Sequence, residues 1–366
     1  MAGLAHQLPP DTTGGDQVTR VMLVDDSMVA RAVLSRMIEM SPDFEVVGVA
    51  GTAEDALVAL RETNVPVDIV ILDLEMPGMG GLKSLPEILE AASGAQVLVV
   101  SSLAEEGAEA TVKALAMGAA DTLPKPGTGR FNGKFSDILL ERLRALVPAP
   151  TASRENVVPR KSTPAIPANR EMPDSDIGVL AIGSSTGGIH ALASFFETLE
   201  GPIGAPILVT QHLPAAFMTV FARQLSMASG LPACVAEDNM LLKPDHIFVA
   251  PGDRHLTVKG RKNGLYVRLL EGRHASGCLP SVDPMFETAA EALGDKALGV
   301  ILTGMGRDGL EGSRTMVAKG GAVIAQDEAS CAVWGMPRAV AEAGLACAAL
   351  PPADIARLVV ERARGK

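Results

Sequence analysis

VLAIGSSTGGIHALASFFETL, residues Val179–Leu199, carries a short apolar run, a glycine-rich turn with two serines and an amphipathic stretch, in that order. Strand, sharp turn and helix make up the repeating unit of a parallel sheet covered by helices. Glycines let the chain reverse tightly and bring backbone N–H groups against a substrate oxygen, and a hydroxyl at a helix N-terminus sits where the dipole favours developing negative charge. Read as G-x-S-x-G, GSSTGG (Gly183–Gly188) makes Ser185 the nucleophile, with Ser184 less central. A phosphate- or dinucleotide-binding turn has the same glycine-rich shape, so the motif alone leaves both readings open.

Outward from that turn the pattern continues. Apolar runs at Gly178–Ile182, Pro206–Thr210, Ile247–Ala250, Leu265–Leu270, Ala297–Leu302 and Ala322–Ala325 alternate with helical stretches such as Ile189–Leu199, Pro284–Leu293 and Leu310–Lys319. They predict a doubly wound, mostly parallel α/β domain over 177–366, with Leu256–Leu270 as an antiparallel excursion. VTQHLP (Val209–Pro214) sets His212 just past the second run, and TGMGRDG (Thr303–Gly309) sets Asp308 past a later one. With Ser185 past the first, three side chains reach one sheet edge and supply an acyl-transfer site. Ser185 is the nucleophile, His212 the general base and then acid, and Asp308 holds the imidazole tautomer and stabilises its cation. The order Ser, His, Asp differs from that of α/β-hydrolases, whose acid precedes the histidine, so a different fold is expected to reach this geometry.

Other residues have plainer readings. His6 falls in an N-terminal tail, His190 starts a helix as a surface or cap residue, and His246, His255 and His274 fall in solvated loops. Phe217 and Met218 read first as core, with a share in a partner-binding face as the alternative.

The N-terminal half repeats the architecture with different chemistry. Val21–Val24, Val46–Val49, Val67–Leu72, Val97–Val100 and Ala120–Leu123 predict a (βα)5 doubly wound parallel sheet over 19–147. Asp25 and Asp26 follow the first strand and Asp73 the third, so three carboxylates meet at one edge and call for a divalent cation. Mg2+ fits, since it takes a few carboxylates plus water and phosphate oxygens. Ser101 ends the fourth strand and Lys125 the fifth, adding a hydroxyl and an ammonium suited to phosphoryl oxygens. A lone Asp at a strand end is usually a helix cap, but capping does not account for five such residues at four strand ends. Residues 148–176, PAPTASRENVVPRKSTPAIPANREMPDSD, form a linker rich in Pro, Ser and charge, and residues 1–18 form a flexible N-terminal extension.

With 366 residues, 47% of them hydrophobic, the chain has material for two cores. A net charge of −11 and a pI of about 5.1 exclude a general nucleic-acid surface, which needs clustered Lys and Arg. Cys234, Cys278, Cys331 and Cys347 form no CxxC pair, so reduced, buried thiols in a cytoplasmic protein are expected. Without a secretory apolar region or any apolar run of about 18 residues, no membrane insertion is expected.

VDDS (Val24–Ser27), DLEMPGMGG (Asp73–Gly81), VSS (Val100–Ser102) and LPKP (Leu123–Pro126) resemble the receiver domain of two-component response regulators. The resemblance implies Asp73 as phospho-acceptor, a Mg2+ held by Asp25, Asp26, Asp73 and the Glu75 carbonyl, and phosphate sensing by Ser101 and Lys125. Gly80 stands where an Asp is common and Thr122 where many receivers carry an aromatic, which questions an aromatic-rotamer switch. IGSSTGG, TQHLP, VAPGDRH (Val249–His255), PSVDPMF (Pro280–Phe286), LTGMGRDG (Leu302–Gly309) and AQDEASCAVWGMPRAV (Ala325–Val340) are similar to the chemotaxis-type protein-glutamate methylesterases. That resemblance implies hydrolysis of glutamate γ-methyl esters on the cytoplasmic domains of methyl-accepting chemoreceptors, releasing methanol, with deamidation of specific glutamines in many members. It also implies a chemotaxis histidine kinase as phosphodonor, backbone N–H groups near Ser185, Thr186 and Met305 as the oxyanion hole, no metal in the catalytic half, and a receiver that covers the site until phosphorylated. Two alternatives are a signalling adaptor with a vestigial site, against which the complete Ser185, His212 and Asp308 set argues, and a DNA-binding regulator, for which no basic recognition helix is present.

Overall fold

Fully buried strands organise both halves of the computed structural model, which describes residues 18–63, 65–102, 105–125, 133–147 and 170–364. Residues 1–17 of the expected extension and 148–169 of the expected linker lie outside the described residues, while the linker's end, 170–176, is described and Ser175 Oγ donates to the Asp295 carboxylate at 2.9 Å.

In the N-terminal half β1 (Thr19–Val24), α1 (Met28–Glu39), β2 (Phe44–Ala50), α2 (Ala53–Glu62), β3 (Ile69–Asp73), α3 (Gly81–Ala91), β4 (Gln96–Ser101), α4 (Glu105–Ala116), β5 (Asp121–Pro124) and α5 (Gly133–Leu146) alternate strictly. The strands order as β2-β1-β3-β4-β5 with every pairing parallel. All of β3 is buried, as helices on both faces of a sheet require. The order reverses direction between β1 and β3, opening a crevice at their carboxyl ends. Gly81 lets α3 start directly against β3: a Cβ there would fall 2.0 Å from the Asp73 carbonyl oxygen.

The C-terminal half runs β6 (Val179–Ser184), α6 (Gly188–Thr198), β7 (Ile207–Gln211), α7 (Ala215–Ser229), β8 (Ala233–Val235), β9 (Ile247–Val249), β10 (His255–Arg261), β11 (Gly264–Leu270), α8 (Asp283–Leu293), β12 (Ala297–Ile301), α9 (Leu310–Ala318), β13 (Ala322–Gln326), α10 (Met336–Glu342), β14 (Ala348–Leu350) and α11 (Pro352–Arg364). Its seven-stranded sheet, β14-β13-β12-β6-β7-β9-β8, is parallel throughout. The antiparallel excursion expected over Leu256–Leu270 is present as the hairpin of β10 with β11, a two-stranded sheet of its own to which the run Leu265–Leu270 belongs. Two edge strands of three residues, β8 and β14, escaped the sequence reading because so short a run carries no apolar periodicity.

The sheet is buried between two apolar layers. Phe195, Phe196, Phe217 and Phe221 from α6 and α7 fill one face, while Met285, Phe286 and Met316 from α8 and α9 fill the other. Phe217 and Met218 are 0% and 2% exposed, so both are core and neither forms a partner-binding face.

Replacing the fully buried Phe286 with Ala leaves a cavity under α8 and is expected to cost about 3–5 kcal/mol. The single tryptophan, Trp334, lies in the C-terminal half and its fluorescence during denaturant unfolding reads that loss.

Candidate active site and acidic switch

Ser185, His212 and Asp308 follow β6, β7 and β12, three adjacent strands that meet where the order turns back on itself. The nucleophile turn is fastened from below. Ser184 Oγ donates to Gln211 Oε1 at 2.6 Å, Gln211 Nε2 donates to the Ser185 carbonyl at 2.8 Å, and Ser185 N–H donates to the Thr303 carbonyl at 3.0 Å. Gly304 lets the next loop close on it, since a Cβ there would meet Ser185 Cβ at 2.7 Å.

His212 Nε2 lies 2.8 Å from Asp308 Oδ2. Asp308 also accepts from Ser281 Oγ at 2.6 Å and from Val282 N–H at 2.7 Å, so its position is fixed before the imidazole contributes. Burial works against charge on His212, but its hydrogen bond to Asp308 and that carboxylate's charge prevail and push its pKa up to about 9. Burial opposes charge on Asp308 too, yet the His212, Ser281 and Val282 donors hold its carboxyl well below the usual range. With Nε2 engaged, Nδ1 is the nitrogen left for a hydroxyl. Among the described residues no hydrogen bond joins Ser185 Oγ to His212, and Ser185 is only 7% exposed. The N–H groups of Thr186 and Met305 likewise donate to no described residue.

In the other half, Asp25, Asp26 and Asp73 each offer a carboxylate oxygen within 4.8 Å of the others. Burial raises the carboxyls of Asp25 and Asp73, and neighbouring carboxylates add to the rise, while the Ser27 N–H and Lys125 partly offset it. An all-oxygen, mutually repelling donor set fits a divalent cation of the Mg2+ type. Lys125 Nζ reaches Asp73 Oδ2 at 2.7 Å and Glu75 N–H donates to Asp73 Oδ1 at 2.9 Å. The Ser101 hydroxyl is buried against Thr111 of α4.

The two halves are in contact at the start of β5. Asp121 Oδ2 accepts from Thr186 Oγ1 at 2.6 Å and from Arg142 Nη1 at 2.5 Å, and Gly187 N–H donates to the Ala120 carbonyl at 2.7 Å. Thus the two residues after Ser185 are tied to the N-terminal half. An ion pair between Glu109 of α4 and Arg223 of α7, and His190 Nδ1 at 3.2 Å from the Ala116 carbonyl, extend the contact. Arg142 lies within electrostatic reach of Cys278 beside the imidazole.

Several expectations need correction. His255 is not in a solvated loop: it is 3% exposed, its Nδ1 accepts from Ser281 N–H at 2.9 Å and its Nε2 donates to the Gly272 carbonyl at 3.0 Å. His274 is half-buried, 3.7 Å from the Asp283 carboxylate. All four thiols are free and half-buried, not fully buried. Thr122 is buried with its Oγ1 unpartnered among the described residues. The sequence reading missed Gln211, Ser281, Asp121 and Cys278. Gln211 sits inside the quoted TQHLP and Ser281 inside PSVDPMF, and those motifs were the only signal for them.

The family described as CheB methylesterase matches residues 180–359, and that described as Response regulator receiver domain matches residues 21–130. Over 399 aligned positions the chain is 38% identical to the protein-glutamate methylesterase/protein-glutamine glutaminase of Maricaulis maris (strain MCS10), covering 98% of this chain and 99% of the relative. It is 41% identical over 355 positions to protein-glutamate methylesterase/protein-glutamine glutaminase 2 of Caulobacter vibrioides, covering 94% and 99%. The crystal structure of the Thermotoga maritima CheB methylesterase catalytic domain is 37% identical, with a TM-score of 0.49 over 51% of this chain and 99% of that one.

NMR titration of the His212 ring should give a pKa near 9 that drops towards 6.5 in Asp308→Asn. Because the folded pKa is raised, the stability it contributes is full below about pH 6.5 and is lost as pH rises through about 9. The parent's advantage over Asp308→Asn in unfolding experiments should shrink across that window.

Proposed function

The chain belongs to the protein-glutamate methylesterase/protein-glutamine glutaminase family, a CheB methylesterase unit behind a response-regulator receiver, and from that premise we propose residue roles, a substrate and a route of control. The protein is a hydrolase of glutamate γ-methyl esters and of glutamine side-chain amides, regulated through its receiver. Its substrates are the cytoplasmic domains of methyl-accepting chemoreceptors and its phosphodonor is a chemotaxis histidine kinase, which places it in the cytoplasm. No helix among the described residues is long and apolar enough to cross a membrane. The receiver spans 19–147 and the catalytic domain 177–366, joined by the linker 148–176.

Once His212 has given its Nδ1 proton to solvent, Ser185 Oγ attacks the ester carbon as its own proton passes to Nδ1, the nitrogen left free by the Nε2 contact to Asp308. The carbonyl oxygen becomes an oxyanion and takes the N–H groups of Thr186 and Met305. Collapse of the intermediate expels methoxide, which leaves as methanol with the proton from Nδ1; from a glutamine the leaving group is ammonia. Water then attacks the acyl-enzyme, gives its proton to His212, and the γ-carboxylate departs as Ser185 recovers its hydrogen. Asp308 keeps its charge throughout, held by Ser281 and Val282.

Asp73 accepts the phosphoryl group, and Asp25, Asp26, Asp73 and the Glu75 carbonyl would hold Mg2+. Lys125 and Ser101 read the phosphate. When bound, the metal supplies charge neutralisation for the incoming phosphoryl oxygens. The observation that carries the control reading is the Asp121 carboxylate on Thr186, beside the nucleophile. In this docked form the oxyanion loop is held by the receiver and the Ser185–His212 bond is not made. Lys125 follows β5, whose first residue is Asp121, so a phosphate that re-pairs Lys125 loads the strand that holds the loop.

The deciding experiment measures methanol release from methylated receptor fragments with and without a small phosphodonor and Mg2+. Release should rise with phosphodonor, vanish in Ser185→Ala and lose its response in Asp73→Asn. No release under any condition would overturn the esterase assignment for these substrates. Asp121→Ala, which removes three hydrogen bonds, from Thr186, the charged Arg142 and the Thr122 N–H, should raise phosphodonor-free release about tenfold or more and compress the response. Unchanged basal release would exclude Asp121 as the restraint.

A further inference from the structure

We propose that Cys278, His212 and Asp308 form an inhibitory binding site for zinc, or for another soft, four-coordinate metal ion. Their ligand atoms lie within 4.8 Å of one another, and thiolate, imidazole and carboxylate are the side-chain donors of tetrahedral zinc. The acyl-transfer steps leave Cys278 without a role. It sits in the segment 271–282 between β11 and α8 and is half-buried, so an ion from solvent reaches it.

Two donors are already in place. Ser281 and Val282 fix Asp308, and Asp308 fixes His212. Ser281 N–H is itself fixed on His255 Nδ1, which anchors the segment three residues beyond the thiol. Bonds of about 2.0–2.3 Å to a tetrahedral ion put its donors roughly 3.3–3.8 Å apart, so His212 Nε2 and Asp308 Oδ2, now 2.8 Å apart, open by roughly 0.5–1 Å while the thiol closes in by about 1.5 Å at most. Gly277 precedes it at φ 77°, with open space around its Cα, so the segment has room for that movement.

Binding converts the Cys278 thiol to a metal-bound thiolate and releases its proton to solvent. As Nε2 exchanges Asp308 for the metal it loses its proton, to solvent from the imidazolium or to Nδ1 from the neutral ring, and Nδ1 is protonated in either case. The imidazole then has no lone pair for the Ser185 proton, and turnover stops. Mg2+ does not compete, because it takes oxygen donors in octahedral geometry. The Arg142 guanidinium, on the receiver side of Cys278, opposes a cation, so the site is strongest in the phosphorylated, undocked enzyme.

The proposal goes beyond the esterase reading while borrowing its histidine, so the test has a readout apart from turnover. Co2+ added to the full-length protein with phosphodonor and Mg2+ should give a thiolate-to-cobalt absorption band that Zn2+ abolishes and that Cys278→Ser lacks. Half-inhibition of methanol release should need about tenfold or more Zn2+ in Cys278→Ser than in the parent, each normalised to its own metal-free rate. A band that persists in Cys278→Ser, or equal Zn2+ sensitivity of the two proteins, would overturn the site. A Cys278-dependent band in a protein that releases no methanol would uphold the metal site while the esterase assignment falls.

Discussion

A parallel strand delivers the chain to one edge of its sheet only, because each hydrogen-bond ladder runs the same way as its neighbour. Both clusters of polar groups depend on that constraint. In the N-terminal sheet it gathers Asp25, Asp26, Asp73, Ser101 and Lys125, and in the C-terminal sheet Ser185, His212 and Asp308. Neither cluster is close in sequence. Strand order supplies the proximity, and the crevice where the order reverses gives each cluster its space.

That constraint explains what was legible. A carboxylate or hydroxyl immediately after an apolar run states its own position, so both clusters could be read from sequence, as could the alternation of strands and helices. Contacts made across the molecule could not. Asp121 reads as the first polar residue of a short strand, and only the docked halves show it holding Thr186 and Arg142. Gln211 is one strand-end amide among many until its two bonds to the serine turn are seen. Cys278 lies in a glycine-rich loop whose path no periodicity specifies. His255 looked solvated because its neighbours are polar, yet both ring nitrogens are used to hold a buried turn.

The coupling between halves is a matter of magnitude. Reversing a docked equilibrium from 99:1 to 1:99 takes about 5.5 kcal/mol of differential stabilisation. A hydrogen bond to a charged group contributes about 1.5–3 kcal/mol at most, so Asp121 alone is not the whole of the restraint. The Ala120–Gly187 backbone bond, the Glu109–Arg223 pair and the contact of Val333 with the receiver core share it. A restraint spread over several weak contacts releases in degrees.

β5 has four residues, a span of about 13 Å, with Asp121, which holds Thr186, at its start and Lys125, which pairs with Asp73, just past its end. Successive residues of a strand face opposite sides, so the distance between these two groups and their relative orientation are fixed together. One inserted residue would lengthen the strut only slightly but turn one end group to the opposite face of the sheet. The strand therefore acts as a spacer with a phase, and exchange of receivers between such enzymes is limited by the parity of β5 rather than by its composition.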